Sequence, residues 1–223
     1  MNAIFGILLL AHLIGDYPLQ TDWLISVKRT WWGLSLHAGV HLLMLVILAG
    51  STLPTIWLYL VGLVITHYII DYFKNWLSNV RPRWINGLYI FDQFLHFLSL
   101  IAIALWIDAT LESAALAQSF LFSPGWVRLL IGLTFCTVVW YISERVLNHS
   151  RPDYQREIVE RRWARIALRA SLFALFLWLG RWAGFAVLPL FVFPYPSSVY
   201  RGRAIVTDVT VALISALLVI VAR

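Results

Sequence analysis

Four pairs of metal-ligating side chains recur at four-residue spacing early in the chain: His12 with Asp16, His37 with His41, His67 with Asp71, and Asp92 with His96. They take in five of the six histidines and three of the seven aspartates. On an α-helix, residues i and i+4 lie one above the other on a single face. Each pair would therefore present two ligands in one direction, and four pairs on four consecutive segments point to one shared centre. Imidazole with carboxylate suits borderline divalent cations, with zinc favoured and iron or manganese as alternatives; calcium wants oxygen alone. Eight candidates exceed one tetrahedral site, so the expectation is one or two metal ions, the single ion being ringed by further charged groups. Two divalent ions against three aspartates leave one positive charge, which a bridging hydroxide would neutralise. Water held by such a metal can ionise near pH ~7.

Neighbouring residues offer secondary roles. Asp22 is a candidate general base or extra ligand, with a helix N-cap as its competing role. Gln93, beside Asp92, could orient a ligand or substrate, or simply hydrogen-bond between helices. Lys28 and Lys74 could hold an anionic head group, although lysines at a membrane boundary commonly set topology and snorkel. Tyr17, Tyr68 and Tyr72 fit an interfacial aromatic belt. His149 stands apart in a charged loop and is expected in solvent.

The elements that carry the pairs are apolar. An ionisable group in hydrocarbon is costly and marks a functional site by default. The 223-residue chain is 61% hydrophobic and 13% charged, with a mean hydropathy of +0.80. Such a composition belongs to an all-α, polytopic transmembrane bundle, each span needing about 20 apolar residues. The formal net charge of +6 is a topology signal, because the basic residues gather between apolar segments; no nucleic-acid module accompanies them. A lone Cys136 excludes an intramolecular disulfide and a thiolate-rich metal site. The first residues lack the basic start and cleavage site of a signal peptide and are expected to persist as a helix.

Seven spans are predicted, at about residues 2–16, 34–49, 54–73, 88–107, 126–147, 172–193 and 205–222. Residues 1–107 form a four-helix core carrying the His/Asp pairs. Residues 108–223 form an accessory region with three further spans and a basic amphipathic cytoplasmic segment at about 150–169. There Arg156, Arg161, Arg162, Arg165 and Arg169 would lie on an anionic leaflet. Arg181, inside span six, is a weaker site candidate or a partner within the bundle. The loops after spans one, three and five, with the C-terminus, hold 13 of the 17 basic residues. The positive-inside rule makes that side cytoplasmic, with the N-terminus outside; Arg201 and Arg203, in a loop after the Pro194-Tyr195-Pro196 turn, are exceptions. At this topology all eight candidate ligands come to lie ~0–15 Å below the cytoplasmic face. The expected location is a bacterial cytoplasmic membrane.

The stretch His12-Leu13-Ile14-Gly15-Asp16-Tyr17-Pro18-Leu19-Gln20-Thr21-Asp22-Trp23, followed by His37-x-x-x-His41, His67-Tyr68-Ile69-Ile70-Asp71-Tyr72 and Asp92-Gln93-x-x-His96, resembles an integral-membrane family known as domain of unknown function 3307. The resemblance covers about residues 1–107. It implies a membrane location and supplies no reaction. A looser likeness, of motif type only, is to helical zinc phospholipases C and membrane-bound metal-dependent hydrolases, which build sites from His-x-x-x-Asp pairs.

The expected activity is metal-dependent hydrolysis of a lipid or lipid-linked ester or phosphoester, from the cytoplasmic side. One alternative is a non-haem di-iron oxidoreductase, against which stands the absence of any His-His dipeptide. A metal transporter is another, but the cluster is off-centre and spans two to four lack an internal Gly-Pro break. The third is a structural membrane protein with a stabilising metal. Membrane lipids are the expected partners.

Overall fold

The computed structural model describes residues 3–111, 121–180 and 199–221, with side chains from 204 onward in the last stretch. The chain divides into two compact units, Met1–Val127 and Arg128–Arg223. Every described element is helical. Four stretches are long and apolar enough to cross a membrane: Trp31–Val80, which contains two helices, Pro82–Thr110, Pro124–Leu147 and Ala204–Val221.

In the first unit, α1 (Ala3–Asp16) stops two residues before Pro18, which cannot donate a backbone hydrogen bond and disfavours helix in the residue before it. A short helix, α2 (Asp22–Val27), follows. Its N-cap is Thr21, whose hydroxyl accepts from the Leu24 amide at 3.2 Å. The cap is therefore Thr21 and not Asp22. Thr30 caps α3 (Trp31–Ala49) in the same way, accepting from the Gly33 amide at 3.2 Å. Gly33 is needed there, because a Cβ would lie 2.0 Å from the Val27 carbonyl oxygen. Gly50, at φ +57°, ends α3, and a 3₁₀ turn leads into α4 (Leu53–Val80). A second turn over Pro82–Trp84 leads into α5 (Ile85–Thr110).

Helix α1 packs against α3 and α5, α3 against α4, and α4 against α5, closing a four-helix ring. The inward stripe of α4 reads Ile56, Leu60, Leu63, His67, Asp71; that of α5 reads Leu88, Asp92, His96, Leu100, Ala104, Ile107. Steps of three and four keep one face turned inward. The chemistry-bearing residues thus continue the leucine stripes and do not interrupt them. The outward faces carry Trp57, Leu58, Ile65, Ile69, Phe73, Ile90, Phe91 and Phe94, all exposed. Apolar outside and polar inside is an inversion of the soluble pattern and suits a lipid surround. Exposed Trp57 and Trp76 bracket α4 ~28 Å apart, and Trp84 and Trp106 bracket α5 at ~33 Å, both close to the thickness of a hydrocarbon core.

The second unit contains α6 (Pro124–Thr134, beginning just before the division), a π turn over Phe135–Val139, α7 (Trp140–Leu147), α8 (Pro152–Glu160), α9 (Arg162–Leu179) and α10 (Val199–Val221). Helices α9 and α10 pack closely. Ala212 and Ala216, fully buried one turn apart, let α9 approach as small residues do in membrane bundles. Gly132 makes similar room, since a Cβ there would meet Val219 at 2.8 Å and the Phe173 ring at 3.0 Å.

Three expectations change in this unit. The basic stretch is two helices, broken at Arg161, and its arginines do not all face outward. Arg169 is fully buried and Arg165 nearly so. Arg165 is held by Asp208 (2.7 and 2.9 Å) and Glu144 (3.0 Å), and Arg169 by Asp208 at 3.2 Å and the Thr137 carbonyl at 3.2 Å. Two guanidinium and two carboxylate groups neutralise one another, which overrides the preference of arginine for the surface. Tyr154 donates to Glu144; burial and that bond push its phenol up to about 12. Finally, the backbone at Arg201 and Arg203 is helical and not a loop, since arginine is a good helix former. Arg181, the Pro194-Tyr195-Pro196 turn and most of the loop before α6 lie outside the described residues.

Candidate metal centre

All eight paired residues turn into the ring formed by α1, α3, α4 and α5, and all eight are buried. Asp16 Oδ1 lies 3.0 Å from His37 Nε2, 3.1 Å from His41 Nε2 and 3.9 Å from His67 Nε2. His37 Nε2 and His67 Nε2 are 3.1 Å apart. A tetrahedral ion with bonds of ~2.0–2.1 Å has ligand–ligand edges of ~3.3 Å. Three of the separations among the Asp16, His37, His41 and His67 donors are 3.0–3.1 Å and all lie within 4.8 Å, so this set could hold a divalent ion. Asp71, Asp92 and His96 form a neighbouring donor group, as do His12, His67 and His96.

His37 gives the sharpest indication. Its Nε2 faces Asp16 Oδ1 at 3.0 Å, His67 Nε2 at 3.1 Å and Asp71 Oδ2 at 3.3 Å. A ring nitrogen carries at most one hydrogen, and one hydrogen cannot satisfy two carboxylate oxygens, whichever tautomer His67 presents. A cation among them would.

Helix α1 reaches this centre through Gly15. A Cβ at that position would lie 2.6–2.9 Å from three atoms of the His41 ring, so the glycine is the gap into which the imidazole fits. On the far side of the histidines is a small cavity lined by His12, His41, His67 and Ser99 over a floor of leucines. It has room for about one water molecule.

Two lysines complete the charge. Lys28 Nζ is 2.8 Å from Asp71 Oδ2, and Lys74 Nζ is 2.8 Å from Asp92 Oδ2. With its amide oxygen toward Lys28, Gln20 accepts from that ammonium at 3.0 Å and donates to the Asp16 carbonyl at 2.8 Å. Asn75 fixes the loop from α4, donating to the Lys28 carbonyl at 2.9 Å. Nothing in the local pattern distinguishes these lysines from topology lysines; their partners lie 43 and 18 residues away.

Gln93 joins the centre. Its amide donates to Asp92 Oδ2 at 3.1 Å, with Asp16 Oδ2 at 3.5 Å, while its oxygen accepts from the Tyr17 hydroxyl at 3.0 Å. Tyr17 is buried and 2.9 Å from the Tyr89 hydroxyl; it belongs to the centre, not to an aromatic belt. Burial first, and then Tyr89, hold its phenol above the ordinary value, so it stays a neutral donor. Asp22 is exposed in the first turn of α2 and is not among the converging donors. His149 is exposed, with its ring against the Val146 carbonyl.

A helical ring with an apolar exterior and a buried centre of imidazoles, carboxylates and ammonium groups defines a membrane protein built around one polar site. The family described as "Protein of unknown function (DUF3307)" matches residues 4–123, more than half the chain, and the chain belongs to it. That match reaches past α5, where the motifs end. No curated protein and no solved structure matches the chain.

Proposed function

We propose that this chain is a metal-dependent hydrolase of a bacterial cytoplasmic membrane, acting on a lipid or lipid-linked ester or phosphoester. The observation that carries the proposal is His37 Nε2, ringed by two carboxylate oxygens and a second imidazole nitrogen at 3.0–3.3 Å. Zinc is favoured over iron or manganese, because four close donors, three imidazole nitrogens and one carboxylate oxygen, suit it. Bound there, the ion would supply Lewis acidity and lower the pKa of adjacent water.

The protein's own residues do the rest. Asp16, His37, His41 and His67 hold the ion. The one-water cavity beside His12, His41 and His67 gives the nucleophile a place, and its leucine floor excludes bulk water. Gln93 fixes Asp92 and approaches Asp16. Asp92 is the carboxylate that would take the proton released as water adds to substrate; its Oδ1 lies 3.5 Å from His96 Nε2 and its Oδ2 2.8 Å from Lys74 Nζ. In the membrane, the end bearing Trp76, Trp84, Arg81 and Arg83 faces the cytoplasm. Asp71 then lies ~7 Å and His67 ~14 Å inward of Trp76, within reach of a lipid head group and its ester linkage.

The test combines metal analysis with turnover. Full-length protein in detergent or nanodiscs is analysed for zinc, iron and manganese, then incubated with neutral and phosphorylated lipid esters before and after chelation. The expected result is bound zinc, hydrolysis of one lipid class, loss on chelation and recovery with zinc. Bound metal without turnover on any lipid ester or phosphoester refutes the hydrolase; absence of metal after reconstitution refutes the centre itself.

A further inference from the structure

Two of the donor groups share no residue, and His12, with His67 and His96, links them. Asp16, His37, His41 and His67 form one; Asp71, Asp92 and His96 form the other. The second group is where Lys74 points. Its Nζ lies 2.8 Å from Asp92 Oδ2 and 3.9 Å from Asp71 Oδ1. Asp71 and Lys74 are three residues apart on α4, so one helix face delivers both carboxylate and counter-charge.

Charge decides how many metal ions this arrangement accepts. Three carboxylates with Lys28 and Lys74 leave one negative charge when the imidazoles are counted as neutral. One divalent ion converts that to one positive charge, which a single anion cancels. A second would leave three positive charges among leucines, and burying uncompensated charge is strongly unfavourable. The same place cannot serve both a metal and an ammonium group, because each would require Asp92 and Asp71.

Resting on the metal reading above, we infer that the centre binds a single transition-metal ion on Asp16, His37, His41 and His67, and that the Lys74 ammonium stands in the place of a second ion on Asp71, Asp92 and His96. Lys74 is thereby a built-in cation in what would otherwise be a two-metal site. Its side chain is 28% exposed against 9% for Lys28. It is thus the charge an entering anionic oxygen meets first. Unlike a metal, it can donate hydrogen bonds to that oxygen.

Zinc per chain is the measurement. Full-length wild type, Lys74→Arg and Lys74→Met are saturated with zinc in detergent, freed of excess by gel filtration and analysed by mass spectrometry. Cobalt absorption provides a second readout of the number of sites. The expected values are one ion for wild type, one for Lys74→Arg and two for Lys74→Met, with Lys74→Met/Asp92→Asn returning to one. Two ions in wild type overturn the inference without recourse to any variant, and one ion in Lys74→Met overturns it also. No ion in wild type instead removes the metal reading beneath it. Should Lys74→Met fail to give monodisperse protein, Lys74→Gln is scored on the same scale.

Discussion

Gly15→Ala isolates the geometry of the centre from its chemistry, since it alters no ligand. The new Cβ would stand 2.6 Å from His41 Cε1, 2.8 Å from Nδ1 and 2.9 Å from Nε2. Non-bonded carbon atoms rest at ~3.5–4.0 Å, so the ring must withdraw by ~1 Å. His41 Nε2 now sits 3.1 Å from Asp16 Oδ1; the withdrawal takes it out of the donor set. Stability should change little, because overpacking costs ~1–3 kcal/mol while replacing glycine inside a helix returns ~1 kcal/mol. Metal affinity should fall ~10-fold to 100-fold, the size of effect seen when a ligand's support is disturbed. Competition against a chromophoric chelator measures the affinity, and thermal unfolding in the same detergent measures stability. Gly39→Ala, Gly62→Ala and Gly87→Ala are matched controls, having nothing within 4 Å of the new methyl. They should keep full affinity. If Gly15→Ala binds zinc as tightly as these controls, His41 is not a ligand and the four-donor site is wrong.

Asp71→Asn should lower stability by ~3–5 kcal/mol and weaken zinc binding ~10-fold to 100-fold, because Asp71 faces Lys28 at 2.8 Å and the ligands His67 at 3.2 Å and His37 at 3.3 Å in a buried setting. An unchanged melting temperature with full zinc would contradict the ion pair. In the second unit, Asp208→Asn leaves Arg165 and Arg169 with Glu144 as their one carboxylate among the described residues and should cost ~3–5 kcal/mol in unfolding assays. Zinc content should not change, and its loss would show that the two units are not separable in this respect. Topology is tested with Cys136→Ser as background: cysteines at Arg29 and Arg83 should label from the cytoplasm and one at Ser51 from the outside. Labelling of Arg29 and Arg83 from opposite sides would break the ring.

The sequence by itself determined the four apolar helices that carry the His/Asp pairs, their apolar exteriors and the eight inward residues, because these rest on local periodicity. A His-x-x-x-Asp pair occupies one helix face wherever the helix is placed. For the same reason, the stripe running Ile56, Leu60, Leu63, His67, Asp71 is legible without knowledge of its neighbours. The family was legible too, since its motifs lie in order along residues 12–96. What only the tertiary structure decided is which charge meets which. Lys28 and Lys74 look like boundary lysines until α4 brings Asp71 beside the loop after α2 and α5 brings Asp92 beside Lys74. Arg165 and Arg169 read as a basic face on an anionic leaflet until α10 supplies Asp208, 43 and 39 residues further on. Hydrophobic period reports which side of a helix is buried. It carries no record of what lies across from that side, and whether the desolvation cost of a buried charge is offset depends on that partner.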